Sequence, residues 1–287
     1  MRIASVNLLH GVDVRRLSRD RTRLDAGDVD LDAVAAWIAE LDADVVALQE
    51  VDCRLERSGR VDQVAWRAER LGLEGVFGPA LVGNPDVAWT EVPATSVPGE
   101  GLGPATAGYG VGLLSRVGLT DVLRTRLPGG GPGRRSPDAS PTRPGPDGEP
   151  RVALSATVGD GVRVTTTHLS YLPWRAVSQL GHALAAAGGH RGPAVLIGDL
   201  NLPLWAGRVA VRTRGLAWPW PSGGPWADGR AGGWRHRPGL ATYPSWSPRL
   251  QLDQAYVRGV AATAATVGPA GPSDHLPLVV DLQPGSA

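Results

Sequence analysis

Residues 195–201 are Val195-Leu196-Ile197-Gly198-Asp199-Leu200-Asn201, an apolar run that ends in a carboxylate and an amide two positions apart. Alternate side chains of an extended chain leave the same face, so Asp199 and Asn201 are predicted to project together from the end of a buried strand. Core packing does not require such a pair, whereas a site for an anionic or metal-bound substrate does. A strand-to-turn junction, where Asp and Asn bond their own backbone, is the alternative.

Four further segments place a polar group beside an apolar or β-branched run. These polar groups are Asn7 after Ile3-Ala4-Ser5-Val6, Glu50 after Val45-Val46-Ala47-Leu48-Gln49, His168 after Val164-Thr165-Thr166-Thr167, and Asp274-His275 before Leu276-Pro277-Leu278-Val279-Val280. Strand ends gather along one rim of a layered α/β fold, and sites form there. We therefore expect these groups to share one site with Asp199 and Asn201.

Hydrophobic periodicity predicts strands broken by a few helices. Helices are predicted over residues 30–42, 61–71 (with Gly72 as the stop) and 173–187 (with Pro173 in the first turn). Strands are predicted near residues 45–49, 110–115, 151–158, 162–168, 194–198, 253–258 and 278–282. The fold class that follows is α/β (α+β), a four-layer sandwich in which two facing, mostly antiparallel β-sheets are flanked by helices.

The chain shows no convincing domain boundary, so residues 1–287 are interpreted as one catalytic domain. Three stretches, near residues 79–107, 128–150 and 203–247, are rich in Pro and Gly and are predicted to be irregular loops. The last stretch holds six of the ten tryptophans. We expect it to overhang the site, with rings that pack the loop onto the body or contact a ligand.

Composition restricts the classes of function. The apolar fraction of 42% can form a core, and the net charge of +1 provides no strong field for nucleic acid or anionic membranes. All basic residues are Arg, which is typical of a GC-rich, bacterial genome. Cys53 is the only cysteine and is expected to be a small buried residue. With no apolar leader or membrane-length run, a cytoplasmic monomer is expected.

Seven short motifs resemble, in order, those of the endonuclease/exonuclease/phosphatase superfamily of metal-dependent phosphoesterases, and they span residues 1 to about 282. The motifs are Ser5-Val6-Asn7, Leu48-Gln49-Glu50-Val51, Tyr109-Gly110-Val111-Gly112-Leu113-Leu114-Ser115-Arg116, Thr167-His168-Leu169, Gly198-Asp199-Leu200-Asn201, Leu252-Asp253 and Ser273-Asp274-His275. In some members the second residue after the first Asn is an acidic metal ligand, whereas this chain has Leu9.

The resemblance implies one or two Mg²⁺ ions, with Mn²⁺ as a substitute. Glu50 is the best metal ligand, because it follows a buried run and carries a full charge, and hard cations prefer carboxylate and amide oxygen. By resemblance, Asn7 and Asp274 complete the metal's surroundings. From the residues alone, Asn7 could instead cap a turn.

The catalytic roles also come from the resemblance. Asp199 is expected to orient or deprotonate the attacking water, and Asn201 to hold a phosphate oxygen. His275 is expected to contact the phosphate or the water, with its tautomer fixed by Asp253. His168 is similar to the family histidine that contacts the scissile phosphate or helps to protonate the leaving group.

Other polar residues carry weaker expectations. Tyr109 is expected to hydrogen-bond a phosphate oxygen. The arginines that could reach phosphate, or could equally be structural, are Arg116, Arg151 and Arg175. The histidines without a motif, interpreted as surface or loop residues, are His10, His182, His190 and His236. His10 lies close to Asn7 in the sequence and merits one variant.

The function that follows is hydrolysis of phosphoester bonds by a metal-site water. The expected partner is a phosphoester substrate, with a small or lipid-like molecule slightly favoured over nucleic acid. A DNA endonuclease or exonuclease is the alternative. A serine hydrolase using Ser170 or Ser273 has no Gly-x-Ser-x-Gly elbow to support it, and an inactive binding module would be expected to lack some of the catalytic residues.

Overall fold

The computed structural model describes residues 1–17, 26–92, 102–103, 105–134, 148–203 and 240–283. The α-helices in these residues are α1 (Leu31–Glu40), α2 (Gln63–Leu71) and α3 (Pro173–Gly188). The strands are β1 (Arg2–Asn7), β2 (Val45–Cys53), β3 (Glu74–Asn84), β4 (Ala88–Glu91), β5 (Gly108–Ser115), β6 (Thr120–Arg126), β7 (Gly133–Arg134), β8 (Val152–Val158), β9 (Val162–His168), β10 (Ala194–Asp199), β11 (Asp253–Arg258), β12 (Ala262–Val267) and β13 (Leu278–Leu282).

The strands form two sheets. The first has eight strands in the order β12-β13-β1-β2-β5-β3-β4-β7, and the second has five in the order β11-β10-β9-β8-β6. Pairing is antiparallel except between β1 and β2 and between β9 and β10. The parallel pairs are the ones in which a helix crosses over the sheet between the two strands, as parallel pairing requires.

The layers follow from the alternation of side chains along the strands. In β10, Val195 and Ile197 enter the core between the sheets, while Ala194 and Leu196 pack against α3. In the same way β1 and β2 contribute one face to that central core and the other to a cluster under α1 and α2. The predicted four-layer sandwich of two facing sheets with helices outside is therefore confirmed.

The three helices begin and end near their predicted limits. The side chains of Asp30 and Asp62 accept hydrogen bonds from the third backbone N–H beyond them and cap α1 and α2. Gly72 ends α2 with a φ of 67°, a left-handed conformation that suits glycine. Pro173 occupies the first turn of α3.

Strands occupy part of the segment 79–107 that was predicted to be irregular, so that prediction is wrong for residues 79–84 and 88–91. Pro79 lies where the pairing of β3 with β5 shifts register, between Pro79 and Leu81, and proline within a sheet is found at such irregularities. In residues 128–150 the structure adds the short strand β7, and residues 135–147 lie outside the described residues. So do residues 204–239 of the predicted Trp-rich loop.

Two further structural findings concern membranes and thiol chemistry. No helix in the described part of the chain is long and apolar enough to cross a membrane. Cys53 is fully buried at the end of β2, where its thiol lies 3.3 Å from the Asp62 carboxylate. Burial, and then that carboxylate, raise the pKa of Cys53 to about 12, so the side chain is an inert core residue, as expected.

Candidate active site

The five-stranded sheet places three of the predicted site residues in one row. Asp199, at the end of β10, is paired with His168 on β9 and with Asp253 on β11. The backbones of β9 and β10 lie too close here for a side chain at position 198. A Cβ added at Gly198 would lie 2.1 Å from the Thr167 carbonyl oxygen. Position 198 thus requires glycine, and the next residue, Asp199, provides the side chain that faces the site.

The sequence predicted that Glu50 follows the end of its strand. In the structure Glu50 lies inside β2, which continues to Cys53. The pairing of β2 with β5 shifts between Leu48 and Val51, and Glu50 has a φ of 54°. Such an irregularity turns one side chain away from its usual face. Glu50 is therefore directed to the rim of the sandwich while its neighbours remain in the core.

Gln49 joins the two halves of the site. Its amide oxygen accepts a hydrogen bond from Ser5 Oγ at 3.2 Å, and its amide nitrogen donates to Thr166 Oγ1 at 3.0 Å. Ser5 belongs to the first sheet and Thr166 to the second, and all three residues are fully buried. This satisfied polar bridge holds the Asn7 and Glu50 side of the rim against the Asp199 side.

The Asp199 carboxylate is the centre of the site and is almost fully buried. Its Oδ1 accepts a hydrogen bond from the Asn201 backbone N–H at 3.0 Å. Its Oδ2 accepts one from Asn7 Nδ2 at 3.1 Å and also lies 3.5 Å from His168 Nε2 and 3.6 Å from His275 Nε2. One carboxylate oxygen thus meets three polar groups that come from both sheets.

Asn7 presents its nitrogen, and not its oxygen, to the carboxylates. The Asn7 Oδ1 accepts from the Leu9 backbone N–H at 3.0 Å, which fixes the orientation of the amide. Its Nδ2 donates to Glu50 Oε1 and Asp199 Oδ2, both at 3.1 Å. The Asn7 amide nitrogen thus lies between two carboxylates, and the metal-ligand role that the resemblance implies for Asn7 stays a prediction.

His275 and Asp253 form a buried pair, with Nδ1 and Oδ2 2.9 Å apart. The backbone N–H of Asp253 donates to Thr242 Oγ1, and the Tyr243 ring lies 4.9 Å from the imidazole. Burial by itself lowers the pKa of His275, but the Asp253 and Asp199 carboxylates outweigh it and raise the pKa to about 10. His275 is therefore an imidazolium at neutral pH.

His168 has the opposite charge state. Burial, and then the Arg151 charge, lower the pKa of His168 to about 3, so the ring is neutral. Asn201 Nδ2 donates to the Leu169 carbonyl at 2.8 Å and contacts His168 Nε2 at 3.0 Å. The expected roles of His168 as a proton donor and of Asn201 as a phosphate ligand both require these contacts to rearrange when substrate binds.

A cavity of about 400 Å³ opens above these residues. Glu50 and Asp274 both line it. Burial, followed by the Asp274 charge, raises the pKa of Glu50 to about 7, and burial raises the pKa of Asp274 although the nearby His275 opposes it. Within the described residues, no three His, Cys, Asp or Glu side chains form a closed metal cluster. Mg²⁺ takes one or two carboxylates and keeps several waters, so the repelling pair of Glu50 and Asp274 suits such a cation.

The cavity includes residues that sequence reasoning missed. His10 and Tyr243 line it, and so does Arg57, whose guanidinium lies 5.6 Å from the centre of the Tyr109 ring. The predicted Tyr109 is buried in this wall, and burial followed by the Glu50 charge raises its pKa well above the usual value. The position of His10 beside Asn7 in the sequence was the only available signal.

The remaining candidate residues include two arginines and two serines, and only Arg151 among them lines the cavity. Arg151 lines the cavity and lies 3.2 Å from Glu149, whereas Arg116 pairs with Asp42 away from it. The two serine hydroxyls are buried and accept backbone N–H groups within their own turns: Ser170 from Leu172, and Ser273 from His275. Neither is placed as a nucleophile on an imidazole, so the serine-hydrolase alternative has no geometric support.

Known structures share this fold over the whole chain. An endonuclease/exonuclease/phosphatase from Beutenbergia cavernae matches with a TM-score of 0.69 and 23% identity, covering 100% of this chain and 72% of its own. The mannosyl-6-phosphatase Bt3783 of Bacteroides thetaiotaomicron matches with a TM-score of 0.61 and 15% identity, covering 99% of each chain. A humanized D. rerio TDP2 matches with a TM-score of 0.58 and 17% identity, also covering 99% of each.

These identities are low, so the likenesses establish the fold and nothing finer. No curated protein matches the chain in sequence. The model of the endonuclease/exonuclease/phosphatase family matches residues 4–275, which include every site residue described above. The order of the motifs, the sandwich and the family match agree, and the chain belongs to the endonuclease/exonuclease/phosphatase family.

Proposed function

We propose that this protein is a divalent-metal-dependent hydrolase of phosphoester bonds. The observation that carries the proposal is the surroundings of Asp199: an amide donor, a neutral imidazole and an imidazolium all lie within 3.6 Å of its Oδ2. A carboxylate so placed can accept a proton from a water that attacks a phosphate in the cavity. Family membership supports phosphoester chemistry at this rim.

Glu50 and Asp274 would hold the metal, Mg²⁺ or Mn²⁺. When bound, the ion supplies positive charge that neutralises the phosphate. Asp199 orients and deprotonates the water, and Asn7 holds its carboxylate beside Glu50. His275, kept protonated by Asp253, places positive charge where the phosphoryl oxygens gain negative charge. Tyr109 and His168 also line the cavity and are proposed to contact the phosphate.

The cavity favours a small or lipid-like phosphoester over long nucleic acid. Its volume of about 400 Å³ suits a small molecule. Asp86 and Glu149 add carboxylates to its lining, and the whole chain carries a net charge of only +1. A polyanion normally requires an extended basic surface.

A substrate panel with Mg²⁺ and Mn²⁺ tests the proposal. The panel contains p-nitrophenyl phosphate, bis-p-nitrophenyl phosphate, inositol phosphates, sugar phosphates, sphingomyelin, plasmid DNA and abasic duplex. The matched control is Asp199→Asn, which keeps the side-chain shape and removes the charge. We expect wild type to turn over at least one small phosphoester, and Asp199→Asn to do so roughly 100-fold more slowly. Cleavage of DNA alone would overturn the small-substrate part, and no Asp199-dependent cleavage at all would overturn the function.

A further inference from the structure

Besides the groups proposed to bind metal and phosphate, two ion pairs between an arginine and a carboxylate line the cavity. In the first pair, Arg57 Nη1 donates to Asp86 Oδ2 at 2.5 Å. In the second pair, Arg151 Nη2 lies 3.2 Å from Glu149 Oε2. All four side chains line the cavity. Since each pair joins one positive and one negative charge, this part of the wall is strongly polar and carries no net charge.

The first ion pair is held rigidly. The buried Asp52 carboxylate accepts from Arg57 Nε and Nη2 at 2.9 and 2.7 Å, and the Arg57 guanidinium lies over the Tyr109 ring. Asp86 belongs to the turn between β3 and β4, where its backbone N–H donates to Asn84 Oδ1 at 2.8 Å. A bidentate guanidinium that is also stacked on a ring has little freedom. The Asp86 carboxylate, which is 49% exposed, thus has a fixed place at the cavity.

The second ion pair lies where the chain enters β8. The Arg151 carbonyl accepts from the Leu127 backbone N–H at 2.8 Å, and a Cβ added at Gly130 would lie 2.4 Å from the Glu149 carbonyl oxygen. The backbone around this pair is therefore closely packed. The side chains of Arg151 and Glu149 are 7% and 28% exposed. Both ion pairs are thus built into the wall by contacts that require no ligand.

Hydroxyl groups are the partners that suit such ion pairs. A guanidinium offers only donors and a carboxylate only acceptors, whereas a hydroxyl both donates and accepts. Neighbouring hydroxyls on one ring or chain can therefore bond both members of a pair. A further phosphate would meet the two carboxylates, and an ammonium group would meet the two guanidiniums. An acyl chain would remove water from the charged groups and give no hydrogen bond in return, which is costly.

We propose that the two ion pairs recognise the hydroxyl groups of the substrate's alcohol part, and that this part is a polyol such as a sugar, inositol or glycerol. The inference deepens the proposed function and rests on it, because the phosphate of such a compound would lie at the centre around Asp199. The cavity of about 400 Å³ has room for one phosphorylated ring. The same hydroxyl chemistry occurs in soluble polyol phosphates and in the head groups of lipids.

A matched pair of compounds tests the proposal by binding. The compounds myo-inositol 1-phosphate and cyclohexyl phosphate share a ring of the same size and one phosphate, and they differ only in the hydroxyl groups. Calorimetry with Mg²⁺ measures both dissociation constants on Asp199→Asn, in which turnover should be roughly 100-fold slower. We expect inositol 1-phosphate to bind roughly 100-fold more tightly, because it gains several hydrogen bonds to charged groups. Equal or weaker binding, or no binding of either compound, would overturn the proposal.

Substitutions in the same Asp199→Asn background show which side chains make the contacts. Asp86→Ala and Glu149→Ala should each reduce the preference for inositol 1-phosphate over cyclohexyl phosphate by roughly 10-fold. Both compounds carry the same phosphate, so the ratio of their dissociation constants cancels the effect of the lost charge on phosphate binding. A disturbed fold would weaken both alike. The matched control is Asp42→Ala, which breaks an exposed pair with Arg116. An unchanged ratio in both cavity variants would contradict the inference.

Vesicles distinguish the two sources of the polyol. Sedimentation with phosphatidylcholine vesicles that contain phosphatidylinositol, but not with those that lack it, would assign a lipid head group. Binding of free inositol 1-phosphate without sedimentation would assign a soluble compound.

The outcomes also separate this inference from the proposed function. A preference for inositol 1-phosphate in binding, with no phosphoester cleaved by wild type, would refute the proposed function alone. Cleavage of both compounds with equal kcat/KM would refute the polyol inference and leave the proposed function intact.

Discussion

The two oxygens of the Asp199 carboxylate have different hydrogen-bond partners. Oδ1 is bound by the backbone N–H of Asn201 and fixes the turn that follows β10. Oδ2 faces the cavity with Asn7, His168 and His275 around it. The two imidazoles differ in charge, since Asp253 stabilises the imidazolium of His275 whereas burial and Arg151 keep His168 neutral. At the residue scale, the site therefore contains one base and one fixed positive charge.

Removing that positive charge should slow turnover. We expect His275→Ala to lower kcat by roughly 100-fold or more, the usual size for a lost charged contact to the transition state. Asp253→Asn should lower it less, because the imidazole stays in place but loses the carboxylate that keeps it protonated. Steady-state kinetics on a generic phosphoester measures both. His182→Ala, on the exposed surface of α3, is the control, and near-normal turnover of His275→Ala would refute the assigned role.

Glu50 should destabilise the metal-free protein. Its pKa of about 7 lies above the ordinary value of 4.5, so the folded state holds this proton more tightly than the unfolded chain. Stability is therefore lost as pH rises from 4.5 to 7 and stays lost above that range. In chelator at pH 8, Glu50→Gln should be more stable than wild type by about 1–3 kcal/mol, and the difference should shrink towards pH 5.

Chemical denaturation at several pH values measures this difference. Glu56→Gln is the matched control, because Glu56 is an exposed partner of Arg60 and its loss should change stability by less than about 0.5 kcal/mol. Added Mg²⁺ should stabilise wild type more than Glu50→Gln. If Glu50→Gln were no more stable than wild type at pH 8 in chelator, the electrostatic account of this site would be wrong.

At the scale of elements, two strand features place the side chains of the candidate site. The irregularity in β2 turns Glu50 out of the core, and the close approach of β9 and β10 at Gly198 sets His168 beside Asp199. The first feature interrupts the regular pairing of β2 with β5, and the second requires a residue without a side chain at position 198. Functional residues that depend on such backbone features are sensitive to substitutions that touch no substrate.

Gly198→Ala should therefore be costly. Its Cβ would lie 2.1 Å from the Thr167 carbonyl oxygen, so β9 and β10 would have to separate next to His168 and Asp199. We expect a loss of roughly 2–4 kcal/mol in the free energy of unfolding, with lower kcat. Gly189→Ala is the control, since its nearest neighbour is 3.5 Å away and its φ is −63°. Equal stability of the two variants would contradict the close-approach argument.

The sequence predicts elements well where burial is periodic. The three helices and strands such as β9 and β10 carry clear patterns, because one or both faces are buried. It fails at β6, which is an edge strand with little burial, and at β3, where Pro79 and Gly83 obscure the pattern. An edge strand is specified by pairing with distant residues, which local composition does not encode.

The same limit applies to the site. Residues at strand ends, such as Asp199 and His168, were predictable from the motifs and their spacing. His10 was not, because its place in the cavity wall depends on its contact with Arg57, which lies 47 positions away in the sequence. Likewise, the orientation of the Asn7 amide depends on its contact with the Leu9 backbone, which the sequence does not show. The sequence can predict which residues belong to the site, whereas the direction of each hydrogen bond requires the packed structure.

At the scale of the whole molecule, the site exists only where the two sheets meet. Asn7 and Glu50 come from the eight-stranded sheet, and His168 and Asp199 from the five-stranded one, with Gln49 as the bridge between them. The central core that holds the sheets together is apolar and continuous. The geometry of the candidate site thus depends on how the two sheets pack together.

The most direct test of the central claim is removal and return of the metal. Turnover of a generic phosphoester, chosen from the panel, is measured in EDTA and after adding Mg²⁺ or Mn²⁺, for wild type and Asp199→Asn. The account predicts no turnover in chelator and full recovery of wild-type turnover with either ion. With Mg²⁺ or with Mn²⁺, turnover by Asp199→Asn should be roughly 100-fold lower than that of wild type. Full activity in EDTA, or normal turnover by Asp199→Asn, would contradict it.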